Sequence, residues 1–137
     1  MPALADEPGR PDRLGEGDVA AARALFTAGE YGRLHQVLPL PLALARGRGG
    51  GAAGVWVLAS QLAVKEGDLE AAGGFAGRAG AAARRSGRPV VLAAAARAAA
   101  TPLRRAGRAG QALRLLGEAH EHLTAGPTRP RPSPARC

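Results

Sequence analysis

The stretch KEGDL at residues 65–69 has two counterparts, TAGEY at residues 27–31 and RAGRA at residues 105–109. Each ends one run of apolar residues spaced three and four apart and opens another, which is the pattern of two amphipathic helices joined by a turn. The turn glycines, Gly29, Gly67 and Gly107, follow one another at intervals of 38 and 40 residues. A period of this length predicts a helical repeat protein.

A single helical hairpin of this length cannot bury its own apolar side, so its copies must stack on one another. We therefore expect an all-α fold, a stack of about three antiparallel helical hairpins, over residues 18–124. Residues 1–17 contain proline and glycine without an apolar period and predict a disordered lead. Residues 125–137 are rich in proline and arginine and predict a disordered tail.

The apolar pattern and the capping residues predict six helices. The first begins at a cap on Asp18, the third spans 53–66, the fourth follows a cap on Asp68, the fifth runs from Pro89 to Arg105 with a bend at Pro102, and the sixth spans 108–124. The second is ended or distorted by Pro39 and Pro41. The positions expected to face the core are, on the third helix, Trp56, Ala59, Ser60 and Ala63, and on the fourth, Ala72, Phe75, Ala76 and Ala79. On the fifth they are Ala96, Ala99, Ala100 and Leu103, and on the sixth, Ala112, Leu116, Ala119 and Leu123.

Glycine is placed unusually in two regions. The run at residues 47–54 predicts a flexible joint between the first two hairpins. The fourth helix contains Gly73, Gly74, Gly77 and Gly80, each costing about 1 kcal/mol relative to alanine. We expect a close approach of a neighbouring helix to offset part of that cost.

Charge and cysteine content bound the class of protein. The chain carries a net charge of +8, of which residues 18–124 contribute +7. No secretory leader and no uncharged apolar run of membrane-spanning length is found, and the single cysteine, Cys137, cannot form an internal disulfide. The expectation is a cytoplasmic protein that has no membrane partner. A homo-oligomer is compatible with the sequence.

The basic charge also permits a nucleic-acid-binding accessory protein, which is the alternative function. The arginines are not arranged for that purpose, because two clusters at opposite edges of the stack do not form one phosphate-binding stripe. The clusters are Arg84, Arg85 and Arg88, and Arg104, Arg105 and Arg108. A GC-rich coding sequence, which enriches arginine over lysine, is an equally good origin for the charge. Steeply salt-dependent filter binding to mixed DNA would favour the alternative.

Chemical motifs point away from catalysis. The string at residues 49–54 matches G-x-G-x-x-G but is not in a strand–helix context, so it predicts a linker. His120 and His122 are two residues apart and point to different sides of a helix, so no metal site is expected. Neither Ser60 nor Cys137 has a base placed beside it. We expect no enzymatic activity, no catalytic residue and no cofactor.

A binding groove is the sharper prediction. If the odd-numbered helices line an inner surface, residues four, seven and eight apart share that surface. The predicted partner-binding residues are Arg23, Gln61, Lys65, Arg97, Thr101 and Arg104. Guanidinium groups pair carboxylates in two-point geometry, so the expected partner is a protein or an acidic peptide. The alternative is a solvated face whose cations lie near helix C-termini.

Residues 65–72 and 107–112 resemble the turn and second-helix start of tetratricopeptide repeats, with Trp56, Ser60, Gly67, Ala72 and Ala79 at the family's large, small, glycine and alanine positions. The run from 55 to 123, notably residues 57–65 and 100–107, looks like the carboxy-terminal helical half of actinobacterial helix-turn-helix transcriptional regulators. That resemblance implies a protein-interaction or sensory module. In that family a DNA-reading domain precedes the repeats, and nothing before residue 18 predicts one, so we do not expect direct DNA binding. A shortened relative of such a regulator is one interpretation.

Overall fold

The computed structural model describes residues 16–39, 41–42 and 51–125, and in these ranges the chain forms helices and no strand. Six helices have defined bounds: α1 (Glu16–Thr27), α2 (Tyr31–Val37), α3 (Ala52–Lys65), α4 (Leu69–Ser86), α5 (Pro89–Arg105) and α6 (Ala109–Ala125). The predicted all-α fold is therefore confirmed. The lead before residue 16, the tail after 125 and residues 47–50 of the glycine-rich joint lie outside the described residues.

The three glycine turns are built alike. Gly29, Gly67 and Gly107 have φ values of 75°, 81° and 82°, in the left-handed region. In the second turn the amide of Asp68 donates to the Ala63 carbonyl at 2.9 Å, and that of Gly67 donates to the Val64 carbonyl at 3.1 Å. The same pair of bonds recurs at the ends of α1 and α5. This is the Schellman motif, in which glycine ends the helix, and the predicted turns are confirmed.

Helix ends follow the sequence with one exception. The Asp68 carboxylate accepts a hydrogen bond from the Ala71 amide at 3.0 Å, which caps α4 as predicted. Pro89 occupies the first turn of α5 as predicted, and Pro102 lies inside that helix, which continues to Arg105. The cap predicted on Asp18 is wrong, because α1 already begins at Glu16 and places Asp18 in its first turn.

The core is centred on α3, which is buried almost all round. It packs against α1, α4 and α5, whereas α5 packs against α3, α4 and α6. Leu58 and Val55 are fully buried, and Trp56 stacks on Phe75 with ring centroids 6.0 Å apart. The buried hydroxyl of Ser60 donates to the Ala72 carbonyl at 2.8 Å, so the one buried polar side chain of the described core is satisfied.

Several positions on the last hairpin were misassigned. The buried residues of α5 are Ala95, Ala98, Ala100 and Pro102. The predicted Ala96, Ala99 and Leu103 are half-buried, because α5 is surrounded by three helices and its buried arc differs from a single stripe. On α6 the predicted Leu116 is half-buried and Leu123 is 45% exposed, since this last described helix has α5 as its main neighbour.

The α4 glycines do not serve close packing, which corrects the expectation from sequence. A Cβ added to Gly73, Gly74 or Gly77 would meet nothing within 4 Å, and all three are exposed. The cost of these residues in helix propensity is therefore not offset by contact with a neighbouring helix. In the predicted joint, α3 already begins at Ala52, so Gly54 lies in a helix.

Two glycine substitutions are expected to change stability in opposite directions. Gly67→Ala should lower the free energy of unfolding by about 1–2 kcal/mol, because alanine is strained in the left-handed conformation. Gly77→Ala should raise it by up to about 1 kcal/mol, because the site is helical and open. Urea denaturation followed by circular dichroism measures both. A change of the same sign in the two variants would contradict the assignment of turn and helix.

Candidate partner-binding cavity

All six predicted partner-binding residues line one cavity of about 750 Å³. The helices α1, α3 and α5 form its walls, and α6 adds Leu116 at one side. The full lining is Arg23, Phe26, Val57, Ser60, Gln61, Val64, Lys65, Ala94, Arg97, Ala98, Ala100, Thr101, Arg104, Arg105 and Leu116. The structure therefore brings the predicted residues together; whether they bind a partner stays a prediction.

Helical spacing explains the convergence. On α3, Val57, Gln61 and Lys65 follow one another at intervals of four residues and share a face. On α5, Arg97, Thr101 and Arg104 share a face at intervals of four and three. Because α3 and α5 pack against each other, these two faces form adjoining walls. Arg23 is exposed on α1 and completes the set from the third side.

The charged residues of the cavity are all cations. Five cations line it, Arg23, Lys65, Arg97, Arg104 and Arg105, and its lining contains no Asp or Glu. The ion pairs among described residues lie elsewhere: Arg33 pairs with Glu30, and His35 pairs with Glu66. Five like charges on one surface repel one another, and a bound anion would relieve that repulsion. The arrangement is suited to an anionic ligand.

The helix dipole accounts for part of this set. Lys65 lies in the last turn of α3, and Arg104 and Arg105 lie in the last turn of α5, where the dipole favours cations. Arg97 is in the middle of α5, and α1 has no basic residue in its last turn, so Arg23 is also outside the reach of the dipole. The helix dipole therefore accounts for three of the five cations and not for these two arginines.

One uncharged polar atom of the cavity residues also lacks a hydrogen-bond partner. The Oε1 atom of Gln61 is buried and accepts no hydrogen bond in the described part of the chain. An unsatisfied buried carbonyl costs about 1–3 kcal/mol, which a ligand N–H would recover. On the adjoining α5 wall the Thr101 hydroxyl donates weakly, at 3.4 Å, to the Arg97 carbonyl of its own helix. The cavity thus offers several cations to a ligand, and a turn of the Gln61 side chain would add one acceptor.

Comparison of the chain with protein-family models, with curated proteins and with solved structures gives no significant match. The functional argument therefore rests on the geometry of the site.

Sequence reasoning missed part of the lining and also missed the apolar cavity next to it. Leu116 was assigned to the core, and Ser60 to packing alone, although both also line the cationic cavity. Next to it lies an apolar cavity of about 350 Å³, formed where α1, α3 and α5 begin to approach one another. The sequence does contain a signal for this cavity: three large apolar residues, Val90, Val91 and Leu92, follow Pro89 in succession, and three consecutive helix positions cannot all face the core. Val90 in that run is 69% exposed.

Other features of the described chain are less suited to a site. The two arginine clusters named above lie at opposite ends of α5, about 24 Å apart, which does not provide one continuous stripe for nucleic acid. The described residues contain no cluster of three or more His, Cys, Asp and Glu side chains able to hold a metal ion. No helix among them combines the length and apolarity that crossing a membrane requires.

Proposed function

We propose that this chain is a protein-interaction module that holds an acidic peptide segment of a partner in the cationic cavity. The observation that carries the proposal is the convergence of five cations from three helices on a surface that contains no carboxylate. Arg23 and Arg97 are the strongest support, because helix-end electrostatics does not explain their positions. Charge-assisted hydrogen bonds from guanidinium groups to carboxylates are worth about 1.5–3 kcal/mol each.

A peptide fits better than a free small anion for two reasons. The first is Gln61, whose half-buried side chain lines the cavity and whose unpaired Oε1 can accept a peptide N–H once the side chain turns toward the ligand. The second is the length of the cavity. From Ala94 to Arg104 along α5 the wall measures about 15 Å, which is the reach of four or five residues of extended chain.

Fluorescence anisotropy with a labelled Glu-Asp-Glu-Glu peptide tests the proposal. We expect saturable binding that weakens as salt is raised from about 50 to about 500 mM, because exposed charges are screened over shorter distances. The matched control is the Gln-Asn-Gln-Gln peptide, which keeps shape and hydrogen-bonding groups but loses charge. Equal binding of the two peptides would contradict the proposal. Unlabelled mixed-sequence DNA that competes more strongly than the acidic peptide would favour the nucleic-acid alternative instead.

In the cell, a sensory module of a transcriptional regulator is the role that we propose for this activity. Its support is the resemblance of residues 55–123 to the helical half of such regulators, together with a stacked-helix surface suited to holding a segment of another protein. In that role the acidic segment is the signal that the module detects. The tetratricopeptide-like character of the stack is part of the same proposal.

A further inference from the structure

The apolar cavity beside the cationic one is lined by residues of α1, α3 and α5 and by the turn before α3. They are Val19, Ala20, Arg23, Gly51, Ala53, Gly54, Val57, Val90, Val91 and Ala94. Arg23 is the one charged side chain among them. A Cβ added to Gly54 would lie 3.3 Å from Cγ1 of Val19, so α1 approaches α3 closely at this glycine. The result is an apolar cavity beside α1 with a single guanidinium in its lining.

The two cavities adjoin. Arg23, Val57 and Ala94 line both of them, one residue from each of the three helices. A ligand that extends along the cationic cavity toward the start of α3 and α5 therefore reaches the apolar one. Val90, at 69% exposure, is left facing solvent beside this path.

We propose that the apolar cavity takes a large aliphatic side chain of the same peptide whose carboxylates occupy the cationic cavity. This inference rests on the function proposed above and specifies the ligand further: an extended segment that carries an aliphatic anchor at a fixed distance from its acidic residues. Arg23, shared by both cavities, pairs with the carboxylate nearest the anchor.

The helices fix the spacing. On α3 the residues that line the apolar cavity are centred near Gly54, and those that line the cationic cavity are centred near Gln61. On α5 the corresponding centres are near residues 92 and 100. Both helices therefore separate the cavities by about eight residues, or about 12 Å. An extended peptide covers that distance in about four residues.

Anisotropy with two labelled peptides tests the inference: Leu-Ser-Gly-Ser-Glu-Asp-Glu and its counterpart with serine in place of leucine. The reversed-order pair is measured as well, so that either chain direction is sampled. In one of the two orders we expect the leucine peptide to bind about tenfold more tightly, which is the gain from burying part of an aliphatic side chain. Moving the leucine next to the acidic residues should remove most of that gain.

Variants of the protein test whether the tighter binding of the leucine peptide arises in the apolar cavity. Val90→Gln should abolish the advantage of the leucine peptide and leave the serine peptide unaffected, since Val90 lines only the apolar cavity of the two. The matched control is Leu113→Gln, at a residue 68% exposed and outside both linings, which should leave the advantage intact. Equal binding of leucine and serine peptides would overturn the inference and leave the proposed function standing. Failure of every acidic peptide to bind would remove both.

Discussion

Reversing two charges on α5, Arg97→Glu together with Arg104→Glu, is expected to weaken acidic-peptide binding at least about 100-fold. Each arginine loses an ion pair worth up to about 1 kcal/mol at an exposed site and is replaced by a group that repels the ligand by a similar amount. Both residues are exposed and line the cationic cavity. The helical content should persist, since neither side chain contributes to the core. Anisotropy measures the first effect and circular dichroism the second.

A control variant with the same change in net charge separates local from general electrostatics. Arg85→Glu with Arg114→Glu matches the pair closely, because Arg85 lies in the last turn of α4 and Arg114 in the middle of α6. Both are exposed and lie outside the cavity lining. We expect this variant to bind the peptide within about threefold of the wild type at moderate salt. Unchanged peptide binding by the α5 double variant would remove these two residues from the site.

Truncation of the central leucine, Leu58→Ala, is expected to have the largest effect on stability. Leu58 is fully buried on α3, the helix that contacts α1, α4 and α5. Leucine-to-alanine changes at such positions cost about 2–5 kcal/mol. For a domain of this size the melting temperature should fall by about 10 °C or more.

Unfolding of this variant can be followed by the fluorescence of Trp56, the one tryptophan of the chain, which is buried against Phe75 and has the Arg78 guanidinium 5.0 Å from its ring centre. The control is Leu113→Ala, at a residue 68% exposed, which should cost less than about 0.5 kcal/mol. If the two variants melted together, α3 would not be the centre of the stack.

The parts of this structure that could be predicted from sequence are those that depend on neighbours along the chain. A glycine after an apolar run ends a helix through local hydrogen bonds, so the turns at Gly29, Gly67 and Gly107 could be predicted. The grouping of the cationic residues could be predicted for a similar reason. Residues at intervals of four and seven share a helix face, and the odd helices of a stack present that face together.

The parts that could not be predicted depend on how far apart the helices lie. Sequence does not show that Gly77 faces open space whereas Gly54 receives Val19 from another helix. The apolar cavity was missed for the same reason, since its walls come from three helices whose spacing is set by packing. The burial of Ala95 in place of Ala96 likewise follows from the number of neighbours around α5.

The modest lengths of α1 and α2, 12 and 7 residues against 14 to 18 for the other four, have a consequence for recognition. Short helices open locally at lower free energy than long ones packed on several neighbours. Arg23 belongs to this short pair, whereas its companion cations belong to α3 and α5. In the proposed complex, a segment that contacts both would join the first hairpin to the remainder, so that binding would increase the local order of α1 and part of the binding free energy would go into holding α1 in place.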